Sequence, residues 1–474
     1  MESDEFQAKT ASFFAWLGRI GVHHSPKVAL VDLRSAGRGR GLVAQSDIGE
    51  DEVLFTIPRD AVLNTTTALG SADNPAILEM PCWLALTAII LTEGQQEDSK
   101  WAPYLALLPS RLDSLVFWSE SELLELQAST VVNKIGRASA EQLFLEHISP
   151  LGLSNTNTEM CHKVASVVMA YAFDIPEKKG HDDPESPEDG DDLVSDNEEE
   201  ENTILSMIPL ADMLNADADG NNARLCCDNE ELEMRSIKPI SKGEEILNDY
   251  GQLPRSDLLR RYGYISDKYA AYDVAELSTQ SLLASLSTEQ PLLAGGTLQP
   301  LSREKLEQRV ELAQREGVYE DSYDLTHPGP DDPSIPDELL ALLYILLLDN
   351  ENLAAIETSH ASLPSRSKLA TSLVGQILTK ILESRKQEYA TTIEADQAIL
   401  QADNLPSRKR MAVEVRLGEK LVLEKAIQEA QSLTGDNKRM RFKQETPTNS
   451  AFKHTKGKRK PEEDGSGRKK IRLR

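Results

Sequence analysis

The sequence predicts an α+β fold: a small β domain assembled from distant segments, a helical insertion inside it, and an all-helical domain after it. Three observations carry this. Asp47-Ile-Gly-Glu-Asp-Glu-Val-Leu54 is echoed by Pro239-Ile-Ser-Lys-Gly-Glu-Glu-Ile-Leu247, each putting a Gly-Glu turn ahead of a β-branched strand, about 190 residues apart. The chain between the two holds helical faces at 83–91, 119–126, 140–147 and 161–173. Beyond residue 336, Leu369, Leu373, Ile377, Ile381 and Leu382, then Val415, Leu421, Ala426, Ala430 and Leu433, keep helical spacing.

In chain order, residues 4–20 set Phe13, Trp16, Leu17 and Ile20 on one helical face, with Gly21 as the stop. A strand is expected over 28–33. The glycine-rich bend Arg34-Ser-Ala-Gly-Arg-Gly-Arg-Gly41 then leads into Leu42-Val-Ala44. Residues 48–55 read as a turn feeding a strand that Pro58 closes. Within the insertion, about 60–205, Trp101, Tyr104, Leu108 and Trp118 are expected to pack helix on helix. The expected domains are 1–275, 276–436 and a disordered basic tail at 437–474.

Hydrophobic residues make up 40% of the 474 and charged residues 27%, as in a soluble globular protein. No apolar run is long enough to cross a membrane, and the acidic start has no leader-like apolar core. Cys82, Cys161, Cys226 and Cys227 form no CxxC pair and read as reduced intracellular thiols, without a metal. The net charge of −27 is uneven: residues 437–474 carry +10, leaving −37 for the rest. An acidic body argues against direct nucleic-acid binding by the folded part and suits a basic protein substrate. Residues 177–201 hold 13 acids against two lysines and are expected to be a disordered loop. It reads as a solvating spacer, or as a docking strip or a phosphorylation site at Ser195. The tail, with Lys456-Gly-Lys-Arg-Lys460, reads as a nuclear import signal, with nucleic-acid or ribosome contact as the second reading. A nuclear, and also cytoplasmic, location is therefore expected.

The polar chemistry gathers between residues 206 and 264. Gly39-Arg-Gly41 lets backbone approach a ligand, and Arg38 or Arg40 can pair with a carboxylate; a plain hairpin turn is the other reading. Asp212 and Asn215 sit in the mostly apolar Pro209-Leu-Ala-Asp-Met-Leu-Asn215, as turn caps or as buried polar groups needing partners. Tyr250 and Tyr262, with Tyr264 close behind, belong to a core or line a pocket in which ring faces hold a cation and hydroxyls orient a nitrogen.

These pieces in this order, with Trp101-Ala-Pro-Tyr-Leu-Ala-Leu-Leu-Pro109, Phe117-Trp-Ser-Glu120 and Pro254-Arg-Ser-Asp-Leu-Leu-Arg-Arg-Tyr-Gly-Tyr264, resemble the SET-domain protein lysine methyltransferases. The resemblance is to the Rubisco large-subunit methyltransferase-like class, and within it to the fungal ribosomal lysine N-methyltransferase 4 group. It covers residues 1 to about 275 well and the helical region more loosely. It implies a SET-type β fold of small sheets and an enzyme that transfers methyl from S-adenosylmethionine to lysine; with no Cys-rich segment after the domain, the enzyme is expected to be metal-free, and it is expected to be a monomer. By the resemblance, Arg38, Gly39 and Arg40 cradle that cofactor, Tyr171 touches cofactor and lysine channel, and Asn215 and Ala216 hold the adenine end. Asp212 lies near the substrate lysine, Tyr250 is tied to methyl transfer, and Tyr262 is a second channel tyrosine. Ala216 stands where the family usually has His, which removes one side-chain contact.

The expected activity is monomethylation of a lysine on a ribosomal or other basic protein, bound through the helical domain. Two competing readings are a non-catalytic SET-like module gripping basic tails and an acidic scaffold acting through residues 177–201. A third keeps the enzyme but makes histidine the acceptor; two channel tyrosines favour lysine.

Overall fold

A computed structural model describes residues 2–441 apart from 37, 69–74, 111, 178–202, 228–229, 289, 292–296, 330–331 and 360–362. The acidic stretch beyond Glu177 and the tail from residue 442 lie outside the described residues. The chain opens with α1 (Glu2–Arg19), followed by β1 (His23–His24), β2 (Val28–Asp32), β3 (Arg40–Ala44) and β4 (Val53–Pro58). The insertion contributes α2 (Cys82–Glu93) and α3 (Thr158–Tyr171), then β5 (Ala172–Pro176) and β6 (Thr203–Met207). β7 (Asn215–Ala216), β8 (Ala223–Cys227), β9 (Glu231–Ser236) and β10 (Glu245–Asn248) complete the β domain, and α4 (Arg255–Tyr262) leaves it.

Two four-stranded sheets form from these distant strands, in the orders β1-β4-β9-β8 and β2-β3-β10-β7. The repeated turn units meet each other. Ile48 and Ile240 exchange both backbone hydrogen bonds, at 2.9 and 3.0 Å, and both side chains are buried. Counting three residues on from each isoleucine, Asp51 (φ 56°) corresponds to Gly243 (φ 90°), so the left-handed turn residue is aspartate in one unit and glycine in the other. The Gly-Glu pairs that suggested the echo are therefore offset, although the units correspond.

The insertion is helical as expected. α2 is apolar all round, with residues from Leu84 to Leu91 buried, as a helix enclosed on every side must be. Asn157 caps α3 by accepting from the Met160 amide at 2.9 Å. Trp101, Tyr104 and Trp118 are buried. Trp118 does not join the core of the β domain. With Leu115, Leu126 and Val131 it packs on Leu259 of α4 and on Met411, Ala412 and Val415 of the later domain.

That later domain holds β11 (Val274–Ser278), β12 (Gln290–Pro291), β13 (Thr297–Leu298) and β14 (Ser322–Thr326), then α5 (Asp337–Leu347), α6 (Ser372–Gln387) and α7 (Ser407–Ser432). It is mainly helical but not all-helical: β11 pairs with β14, and β12 with β13. Ala275 and Leu277 of β11 face its core, beside Tyr323 and Leu325 of β14, so the short strands close one side of the helices. Residues 437–441, expected in the disordered tail, are folded. Asp349 donates to Arg439 O (3.0 Å), Arg441 to Leu347 O (2.9 Å), and Met440 is buried. None of the four cysteines is in a disulfide. Among the described residues, no helix is long and apolar enough to cross a membrane, and no cluster of three His, Cys, Asp or Glu could hold a metal.

Candidate active site

β3 and β10 run antiparallel, and β7 joins β10 on its other side in parallel. This arrangement draws the glycine bend, the Asp212–Asn215 segment and the tyrosine end of β10 to one place. The approach is close enough to require glycine. A Cβ at Gly41 would lie 2.5 Å from the Leu33 side chain, 2.8 Å from Glu245 Oε1 and 3.0 Å from Asn215 Nδ2. Asn215 Nδ2 donates to Glu245 Oε1 (2.7 Å) and to Arg40 O (3.1 Å). Arg38 pairs with the other oxygen of Glu245. One carboxylate thus ties the bend to the Asn215 segment.

Leu210 adopts φ 76° and ψ −40°, rare for leucine, and turns the chain into the short helical turn Ala211–Met213. That turn buries Asp212. Its Oδ2 accepts from the Tyr104 hydroxyl at 2.5 Å, while Oδ1 is buried without a hydrogen-bond partner among the described residues. Of the two readings of Asp212, turn cap or buried polar group needing a partner, the contact with Tyr104 supports the second. Burial pushes Asp212 up to about 7, against the opposing pull of the Tyr104 hydrogen bond. Tyr104 itself packs against Phe13 and stacks on Trp16, so the expected packing role holds and a polar one is added.

Tyr250 and Tyr262 stack with ring centroids 4.8 Å apart. The Tyr250 hydroxyl donates to Leu214 O at 3.1 Å. Enclosure lifts Tyr250 well above the ordinary phenol range, with nearby Tyr171 and Tyr262 adding to it, so it stays a neutral phenol. Burial, then the charge of Asp212, raises Tyr171 to about 12 against the pull of Arg40. Burial also raises Tyr262.

A cavity of about 520 Å³ opens here, and every residue singled out from the sequence lines it: Arg38, Gly39, Arg40, Tyr171, Asp212, Asn215, Ala216, Tyr250 and Tyr262. Such a volume suits a nucleotide-sized ligand. A second cavity of about 200 Å³ shares Ala170, Tyr171, Asp212, Tyr250 and Tyr262 with it and adds Ala172, Phe173, Asn248 and Asp249. A wide chamber and a narrow aromatic one therefore meet at the tyrosines. Arg40 Nε is buried and unpartnered, and its guanidinium stands over the Phe6 ring at 4.3 Å. This is a cation with hydrogen-bonding capacity left for an anionic group in the wide chamber.

Sequence reasoning missed Glu245, Tyr104, Asn248 and the Asp217–Lys268 pair, all at or beside the chambers. Glu245 carried a signal: it is an acid on the strand Glu245–Asn248, whose next residue Ile246 is fully buried. Asp217 had one also, in the turn closed by Gly220, whose amide it accepts at 2.9 Å. Tyr264 was noted as a neighbour and lines the wide chamber.

Comparison with known proteins places these features in a family. Residues 39–251 match the SET domain, and residues 300–423 match the Rubisco LSMT substrate-binding family. Ribosomal lysine N-methyltransferase 4 of Saccharomyces cerevisiae is 35% identical over 303 residues, 60% of this chain and 60% of that protein. N-lysine methyltransferase SETD6 of Bos taurus is 28% identical over 460 residues, covering 90% of this chain and 96% of that protein. Among solved structures, the SET domain of LSMT bound to lysine and AdoHcy superposes with a TM-score of 0.67 at 21% identity, over 90% of this chain and 91% of that one. The fold is that of this structure. The chain carries a SET domain followed by a Rubisco LSMT substrate-binding domain.

Proposed function

We propose that the protein is an S-adenosylmethionine-dependent protein-lysine N-methyltransferase. The observation that carries this reading is the meeting of a wide chamber and a narrow aromatic one at Tyr171, Asp212, Tyr250 and Tyr262. The named relatives on both sides of the comparison are lysine methyltransferases, which supports it.

The residues present fit the cofactor. Arg40 Nε has no partner among the described residues and can take the amino-acid carboxylate, and Asn215 and Ala216 also line the chamber. When bound, the cofactor supplies a sulfonium methyl: the lysine nitrogen's lone pair forms the N–C bond as the S–C bond breaks. The chain supplies the rest. A lysine enters with a pKa of about 10.4, and a narrow chamber disfavours its charged form, so the proton leaves to solvent. Tyr250 donates to Leu214 O, which leaves its oxygen lone pairs to accept an N–H and hold the nitrogen in line. Tyr262 fixes the Tyr250 ring. Asp212 Oδ1 offers the entering ammonium its one free carboxylate oxygen at the junction.

The finer reading is monomethylation of a basic, ribosomal protein by a monomeric enzyme in the nucleus and cytoplasm. Crowded tyrosines favour one methyl, the excess of acid over base in the body favours a basic partner, and the name of the yeast relative favours a ribosomal one. The test is transfer of labelled methyl from S-adenosylmethionine to ribosomal proteins by wild type and Tyr250→Phe. Labelling by wild type alone, with monomethyl-lysine by mass spectrometry, is expected. A folded wild type that binds cofactor and labels nothing overturns the enzyme reading; mostly trimethyl-lysine overturns the product assignment.

A further inference from the structure

Strand β10 splits its last side chains between the two chambers. Leu247 lines the wide one, Asn248 lines only the narrow one, and Tyr250 reaches both. The alternation is the pleat of a strand that runs between the chambers. Asn248 is 7% exposed. Its backbone carbonyl accepts from the Asp217 amide at 3.2 Å, but its side-chain amide takes part in no hydrogen bond with any described residue. Its polar atoms are not among the fully buried unpartnered side-chain atoms of the described residues, so water reaches them, and a bound ligand can take that water's place. The nearby Asn222 shows the usual state: its Oδ1 accepts from Leu247 N at 2.7 Å and its Nδ2 donates to Glu245 O at 2.8 Å.

We infer that Asn248 binds the polypeptide carrying the target lysine, pairing its carboxamide with a substrate peptide group and so selecting peptide-borne over free lysine. This rests on the methyltransferase reading. The position argues for a peptide group rather than the reacting nitrogen. Reaction must occur where the chambers meet, at Asp212 and Tyr250, and Asn248 does not line that junction. Its chain neighbour Asp249 is exposed and lines the same chamber. A carboxamide carries its donor and its acceptor on separate atoms, so it can meet either the carbonyl or the N–H of a substrate peptide group.

The test compares wild type, Asn248→Ala and the smaller change Asn248→Ser, each first shown to bind S-adenosylhomocysteine by calorimetry. The acceptors are free L-lysine and a pool of lysine-centred peptides. In both variants KM for the peptides is expected to rise about tenfold, the worth of one hydrogen bond, with kcat and KM for free lysine holding near wild type. Equal loss for both acceptors, a fall in kcat alone, or no change overturns the inference. Peptide binding is also read directly by fluorescence anisotropy. If wild type binds peptides without transferring methyl, the methyltransferase reading fails and the Asn248 inference is judged on those binding constants. Wild type that binds no peptide overturns it.

Discussion

Tyr250 and Tyr262 lie face to face, ring centroids 4.8 Å apart and planes 11° from parallel. They come from different elements: Tyr250 follows β10 and Tyr262 ends α4. A pair of this kind contributes about 1 kcal/mol beyond the area it buries. Its larger effect is geometric. The stack fixes the Tyr250 ring so that the hydroxyl meets Leu214 O at 3.1 Å and its remaining lone pairs face the chambers.

Tyr250→Phe keeps the ring and the stack but removes the only oxygen placed by that hydrogen bond. The nitrogen then loses its alignment rather than its space. The expected outcome is a fall in kcat of roughly a hundredfold with cofactor affinity unchanged. Single-turnover methyl transfer and calorimetry with S-adenosylhomocysteine check the two halves. An equal loss of cofactor binding would show that Tyr250 acts on the chamber as a whole.

Asp212 carries a pH signature. Burial raises it from 3.8 to about 7, so the folded protein holds this proton more tightly than the unfolded chain does. Folding stability from this group therefore falls as pH rises from about 4 to about 7, because the buried charge must then form. Glu419, raised by burial to about 7, acts in the same sense and is shared by wild type and variant. Relative to wild type, Asp212→Asn should gain in melting midpoint as pH rises from about 5 to about 8. It should also lose the fall in KM for the lysine acceptor that is expected of wild type as the carboxylate forms. Melting curves and initial rates across that range test both.

Much of this site was legible because its parts are short and contiguous. Asp212 to Asn215 and Tyr250 to Tyr262 lie close in sequence, and the second turn unit lies between them and announces the strand that joins them. Tyr104 was legible only as a packing residue, since its acidic partner lies 108 residues away. Asn248 was invisible for another reason: its importance lies in a missing partner, which only three dimensions reveal. The second domain was read as all-helical because β11 and β14 are five residues each and separated by a helix-rich stretch. The folded edge at Asn437–Arg441 was hidden by basic composition, although the bonds that fix it to Leu347 and Asp349 are made largely by backbone.

Helix α4 is seated on α7 at a glycine. Arg255, the first residue of α4, makes a buried pair with Asp273, with Nε to Oδ2 at 3.0 Å. A Cβ at Gly418 of α7 would overlap the Asp273 carboxylate and lie 2.6 Å from Arg255 Nη2. Gly418→Ala should therefore cost about 3 kcal/mol by disturbing a buried ion pair, despite the better helix propensity of alanine. Because Tyr262 ends the same short helix, kcat should fall as well. Thermal melting and steady-state kinetics on the purified variant measure these; an unchanged melting midpoint would mean the pair shifts without loss.

Glu245 holds both Arg38 and Asn215, and through Asn215 the carbonyl of Arg40. Removing the carboxylate should release the glycine bend from the Asn215 segment on the cofactor side, while Tyr250, Tyr262 and Asp212 keep their own contacts. Glu245→Ala should weaken S-adenosylhomocysteine binding about tenfold, as expected for the loss of a charge-assisted hydrogen bond. The reacting tyrosines are untouched, so kcat at saturating cofactor should fall far less than in Tyr250→Phe. Glu245→Gln should recover part of the affinity, because its carbonyl oxygen can still accept from Asn215 Nδ2 while the charge facing Arg38 is gone. Calorimetric titration of the three proteins ranks them, and equal affinities would mean that the backbone pairing of β3, β10 and β7 alone holds the chamber.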